Sequence, residues 1–280
     1  MREATKTIDL KREIKEITRR LGAGKNRPIK KRIVKPKFSG VILYQGPSLL
    51  DGAPIVVILT FSTDNAKTGD MLQTWILRAD MPPTVAIKSG EDSSVCGACI
   101  HRHHSGGACY VVAGHAPLSI WGCFSRGGYP VFNPEKHAHL ITGRAVRLGA
   151  YGDPAAAPFE TWENITALAT HWTGYTHQAA HKNFDPRIAD LCMVSADSPR
   201  QALKYQNAGF RTFRVAMEGD GLLDAEIECL NTATGVECIA CGLCDGARRD
   251  ANSIAVEAHG TRANRFKTSR ADLIPALAIA

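Results

Sequence analysis

The chain lacks the features that would place it in or across a membrane. No apolar h-region interrupts the charged stretch Met1 to Arg20, so no secretory signal is expected. No run approaches the roughly 18 apolar residues of a membrane span. The longest, around Pro54 to Phe61, suits a buried strand instead. The expected location is therefore cytoplasmic, with no membrane partner. A phosphate-binding loop is also missing, since the polar segment Lys67-Thr68-Gly69 lacks the full P-loop pattern. No compact pair of carboxylates stands out, which ranks a hydrolase or nuclease built on a hard metal last among the readings. Aromatic residues are only 7% of the chain, and Trp75, Trp121, Trp162 and Trp172 are too scattered for a stacking platform; they are expected in the core or a pocket wall.

What is present is a globular composition, with 44% hydrophobic and 22% charged residues over 280 positions. A chain of this length buries a core without covalent staples, so its nine cysteines are not needed for stability. In a reducing compartment disulfides are disfavoured, and an odd number cannot pair fully. Clustered cysteines then read as metal ligands.

The formal charge of +7 is unevenly spread. Residues 1–37 hold fourteen Lys or Arg against four Asp or Glu, while the rest of the chain holds twenty against twenty-three. The basic character belongs to an N-terminal arm. Thr7 to Leu21 has the three- and four-residue apolar spacing of a short amphipathic helix, and Lys25 to Lys37 reads as a basic linker. Such an arm can bind DNA or RNA phosphates through a salt-sensitive electrostatic attraction. No aromatic interleaves its charges before Phe38, so a solvated tail is the alternative.

From Phe38 the pattern is that of alternating strands and helices. Strands are expected at Val41 to Tyr44, Pro54 to Phe61, Ala145 to Tyr151, Thr173 to Thr176, Leu191 to Ser195, Arg211 to Ala216 and Ser253 to Glu257, with a strand or short helix at Met71 to Arg78. Helices are expected at Pro158 to His171 and Pro199 to Ala208, and residues 90–130, with eight glycines, read as irregular. This succession predicts an α/β fold, a partial (β/α) barrel or mainly parallel sheet, carrying Cys-rich loops. The expected organisation is an arm at 1–37, an α/β metal-binding domain at 38–262 and a tail at 263–280. Asp153, His177, Asp197 and His259 each follow a predicted strand, at the edge where such sheets carry their sites, and are the candidate catalytic residues. Ser195 and Asp197 before Pro199 also suit helix capping.

The cysteines form two groups. The first is Cys96, Cys99 and Cys109, with His101, His103, His104 and His115 nearby to give a fourth ligand. Without one, a bound iron would keep an open position for substrate or cofactor. The second is Cys229, Cys238, Cys241 and Cys244, a complete set of four. Two-residue spacing aims both thiolates of a turn at one metal, and both zinc and 4Fe–4S clusters use it. Lone Cys123 and Cys192 read as core residues.

The order of motifs resembles a group of phage and bacterial Cys-rich proteins. It runs from Cys96-Gly-Ala-Cys99 through Cys109-Tyr110, then Arg147-Leu-Gly-Ala-Tyr-Gly152-Asp153, Gly174-Tyr-Thr-His177, Ser195-Ala-Asp197 and the cluster Cys238 to Cys244. That group looks like distant relatives of radical S-adenosylmethionine enzymes. The resemblance implies a 4Fe–4S cluster on Cys96, Cys99 and Cys109, and S-adenosylmethionine as small-molecule cofactor, with Gly152, Asp153 and Tyr110 beside it. It further implies a second cluster on the later four cysteines and a phage-encoded enzyme acting on a nucleotide, nucleic-acid base or related molecule. The spacing here is Cys-x2-Cys-x9-Cys, against Cys-x3-Cys-x2-Cys in that family, so the ligand loop must differ. The alternative is a non-enzymatic zinc protein that binds nucleic acid.

Overall fold

The computed structural model describes residues 37–246, 251–259 and 262–271. Of the N-terminal arm only Lys37 is among them, so the expected helix at Thr7 to Leu21 lies outside the described residues.

Nine strands form one sheet: β1 (Gly40–Pro47), β2 (Pro54–Thr60), β3 (Leu72–Arg78), β4 (Val146–Tyr151), β5 (Trp172–Thr176), β6 (Met193–Ala196), β7 (Thr212–Ala216), β8 (Glu226–Glu228) and β9 (Ser253–Glu257). Their order is β1-β2-β3-β4-β5-β6-β7-β9-β8. β1, β2 and β3 pair antiparallel, and from β3 onward every pairing is parallel. The fold is α/β with a mainly parallel sheet, as the alternation of elements predicts. Among the described residues no pairing joins β8 back to β1. The outer edge of β1 is covered instead by Pro130 and Phe132, which exchange backbone hydrogen bonds with Ile42.

The apolar run at 55–59 becomes the fully buried centre of β2, flanked by Leu72, Ile76 and Leu77 of β3. A strand buried on both faces has no polar alternation, which is why this run reads as continuous. Met71 to Arg78 resolves as a strand. The helix expected at Pro158 to His171 is shorter, Phe159–Thr166. Its end is marked by the Thr166 hydroxyl, which donates back to Trp162 O at 2.9 Å. All four tryptophans have a buried or half-buried ring, and each indole N–H finds an acceptor within the chain.

Residues 90–130 are less irregular than their glycines suggest. Just before them, helix Pro83–Ser89 starts with Pro83 and stops at Gly90, whose φ of 85° is left-handed. Helix Ala116–Ser125 also begins with a proline, Pro117, in its first turn. In the expected tail, residues 263–271 form a helix whose Phe266 is 1% exposed and packs its ring 5.4 Å from that of His101.

Candidate functional site

The first parallel strand, β3, sends the chain through helix Pro83–Ser89 into the first cysteine loop. Cys96 ends a short helical turn, and Cys99 N donates to Cys96 O at 3.3 Å. The nine-residue gap then folds on itself: Gly107 N donates to Arg102 O at 2.8 Å and Cys109 N to His101 O at 2.8 Å. Cys109 is thereby carried back toward the Cys96–Cys99 turn, near enough that both Cys99 and Cys109 act on the Cys96 thiol. Gly107 is required at this return, because a Cβ there would lie 2.3 Å from the His101 carbonyl carbon. Arg102 pins the loop by donating to Asp92 and, at 2.6 Å, to Gly90 O.

The thiols of Cys96 and Cys109 resist ionisation. Burial pushes the Cys96 thiol well up, and neighbouring Cys99, Cys109, Asp92 and Asp153 add to it. Burial likewise raises Cys109, with Cys99 adding to the rise and the Val111 N–H, Arg262 and His177 opposing it. A crowded set of buried thiols ionises readily only when a cation replaces the protons.

Three of the four strand-end residues meet at this loop. Asp153, 6% exposed, follows β4 and accepts four hydrogen bonds: from Thr176 Oγ1 at 2.8 Å and Ala155 N at 3.0 Å on one oxygen, and from His177 N at 2.7 Å and Gln178 Nε2 at 3.3 Å on the other. Gln178 in turn donates to Cys96 O at 3.0 Å and accepts from Ala98 N at 3.1 Å. The carboxylate of Asp153 is thus taken up by the protein's own donors. It ties the end of β5 to the cysteine turn, which is a positioning role. Gly152 packs against β3, where a Cβ would sit 2.8 Å from Ile76 O.

Asp197, after β6, lies 2.7 Å from His101 Nε2 and 3.6 Å from His177 Nε2. Burial alone would raise its carboxyl, but the two histidines outweigh it and hold the group well below the usual carboxylate range. Burial alone would lower His177, yet Cys99 and Asp197 carry it well above its ordinary value. The fourth strand-end residue stands apart. His259 is exposed, and its ring nitrogens meet Lys67 Nζ and, at 2.7 Å, Glu257 O.

The other histidines of the first group go elsewhere. His103 meets Arg262 and Val111 O, and His104 Nδ1 is 3.1 Å from Ile87 O. Cys192 is buried and Cys123 half-buried, as core thiols are.

The second group lines a single cavity: Cys229, Cys238, Cys241 and Cys244 face it together with Thr173 and Tyr175 of β5. Its turn is held by Cys238 N and Ile239 N, which donate to Lys67 O at 2.9 Å and Thr68 O at 3.1 Å. Burial pushes the Cys244 thiol up to about 12; the Tyr175 hydroxyl opposes this, while the three other cysteines add to it. Arg147 stands over the Tyr175 ring, 5.4 Å from its centroid, and donates to the Tyr110 hydroxyl at 3.1 Å. Tyr110 is otherwise 71% exposed. Arg147 therefore lies between the two cysteine groups, and its charge opposes the rise at Cys238.

The nine cysteines all lie among the described residues, and no disulfide joins any of them. No helix among the described residues is long and apolar enough to cross a membrane. Compared with known proteins, the chain matches no family profile, no curated protein and no solved structure.

Gln178 and Arg262 carry no motif of their own, whereas Tyr175 falls within the Gly174-Tyr-Thr-His177 motif without being singled out. Gln178 directly follows the singled-out His177, but its partners in the cysteine turn, Cys96 O and Ala98 N, lie about eighty residues away.

Proposed function

We propose that this chain is a cytoplasmic iron–sulfur enzyme of radical type, acting on a nucleotide, nucleic-acid base or related small molecule. The observation that carries this reading is the folding of Cys96, Cys99 and Cys109 into one group at the C-terminal edge of the parallel strands, on the loop that follows the first of them. Cys96, Cys99 and Cys109 would hold a 4Fe–4S cluster through three thiolates, and S-adenosylmethionine would complete its coordination.

The donor set suits such a cluster: Cys96, Cys99 and Cys109 are thiols on one loop, and thiolates are the ligands an iron–sulfur cluster takes. The second group, four cysteines around one cavity beside Arg147, suits an auxiliary cluster whose net negative charge the guanidinium offsets.

Such a cluster, fed one electron by an external reductant, would supply the reductive cleavage of S-adenosylmethionine on which hydrogen abstraction from substrate depends. The chain's own residues position and exclude. Asp153 fixes the His177 backbone and, through Gln178, the Cys96 carbonyl. Helix 263–271 covers His101 with Phe266, keeping water from that side. The arm at 1–37 would hold a polymer substrate by its phosphates.

Anaerobic purification with iron, sulfide and zinc counts tests the reading. Two clusters give broad absorption near about 400 nm and about eight irons per chain, and Cys96→Ser and Cys238→Ser each remove about half. S-adenosylmethionine cleavage should then depend on Cys96. Two zincs and no colour would overturn it. They would favour instead a zinc protein binding DNA or RNA through the basic arm, whose affinity falls steeply with salt and is lost on deleting residues 1–37.

A further inference from the structure

We propose that His101, His177 and Asp197 hold one divalent transition-metal ion, zinc or ferrous iron, beside the first cysteine group and with ligands of its own. The three side chains come from the first cysteine loop, the end of β5 and the end of β6, and their ligand atoms all lie within 4.8 Å of one another. A tetrahedral ion with bonds of about 2.0–2.1 Å to nitrogen and oxygen spaces its donors by about 3.3 Å. The separations from Asp197, 2.7 Å to His101 and 3.6 Å to His177, straddle that value.

His177 Nε2 is buried and stands 3.6 Å from Asp197, an ion-pair distance too long for a full hydrogen bond. A cation between the two side chains would engage both of them.

The surroundings have the supporting contacts that metal ligands need. Asp153 anchors the His177 backbone at 2.7 Å, Gln201 Oε1 accepts from Asp197 N at 2.7 Å, and Phe266 backs the His101 ring. Two histidines and one carboxylate suit zinc or ferrous iron, and three protein ligands leave at least one coordination position for an oxygen donor of a substrate or for water. This site does not depend on the iron–sulfur reading.

The test is a cobalt(II) titration of the full chain, followed by calorimetry and visible absorption. The expected result is one equivalent showing the d–d bands of nitrogen and oxygen ligation without sulfur-to-cobalt charge transfer. Asp197→Asn and His101→Gln should weaken that equivalent by at least roughly tenfold while leaving iron, sulfide or zinc on the cysteines unchanged. Cys96→Ser should leave it in place. Cobalt bound solely with thiolate charge transfer, or unchanged affinity in a folded Asp197→Asn protein, overturns the proposal. If the variants misfold, the ligation seen in the native chain decides it. Loss of iron from the cysteines would refute only the cluster reading, because the two ligation types are read separately.

Discussion

Asp153→Asn separates a residue that positions the site from one that touches a cofactor. The carboxylate is 6% exposed, and its two oxygens each accept two hydrogen bonds. An asparagine of the same shape keeps one acceptor and turns the other oxygen into an NH2 group. Whichever way the amide lies, two donors lose their acceptor and face a donor instead. With the oxygen retained toward Thr176 and Ala155, the bonds lost are those from His177 N at 2.7 Å and Gln178 Nε2 at 3.3 Å. Hydrogen bonds to a charged acceptor contribute about 1.5–3 kcal/mol each, so the substitution should cost about 3–5 kcal/mol. For a body of this size that is a fall in melting temperature of the order of 10 °C. Urea and thermal unfolding would measure it, with Thr176→Val, which removes one hydroxyl bond, expected to cost about 1 kcal/mol. A variant within about 0.5 kcal/mol of the parent would refute the positioning role. Such a protein, folded and stable but unable to bind S-adenosylmethionine, would make Asp153 a cofactor contact instead.

Gly152→Ala should destabilise by at least about 2 kcal/mol in thermal unfolding, because φ is 82° there and the new Cβ would press on Ile76 O and Val95 O. Arg214 and Glu226 form a fully buried ion pair at 2.6 Å, so Arg214→Met alone should cost about 3–5 kcal/mol in urea unfolding. Adding Glu226→Leu should recover most of that loss, since no charge is then left buried alone. Asp197 is lowered in the folded chain, so its contribution is complete above its ordinary range, about pH 4, and disappears as pH falls toward the lowered value. In metal-free protein, the stability gap between parent and Asp197→Asn should therefore shrink as pH drops below about 4; a gap that stays constant would refute the assignment.

Much of the frame was legible from local pattern. The unbroken apolar run of β2, the alternation of strands and helices after Thr142, and the polar residues at strand ends all follow from backbone periodicity, which a sequence displays directly. The helices Pro83–Ser89 and Ala116–Ser125 carried proline start signals within glycine-rich surroundings that masked them. The segment at 263–271 offered no amphipathic pattern, and tertiary contacts such as the seating of Phe266 on His101 fix its place.

The sequence by itself determined the residue types: two cysteine groups, a basic arm and a row of Asp and His just beyond parallel strands. Tertiary structure decided which of them meet. It folded the nine-residue gap so that Cys109 returns toward Cys96 and Cys99, brought His101 and His177 to Asp197, and filled Asp153 with internal donors. It also set His259 against Lys67, away from the other three strand-end residues. The reason is that strand ends follow from spacing along the chain, whereas side-chain partners depend on loop closure between segments some eighty to one hundred residues apart, and no local period encodes that.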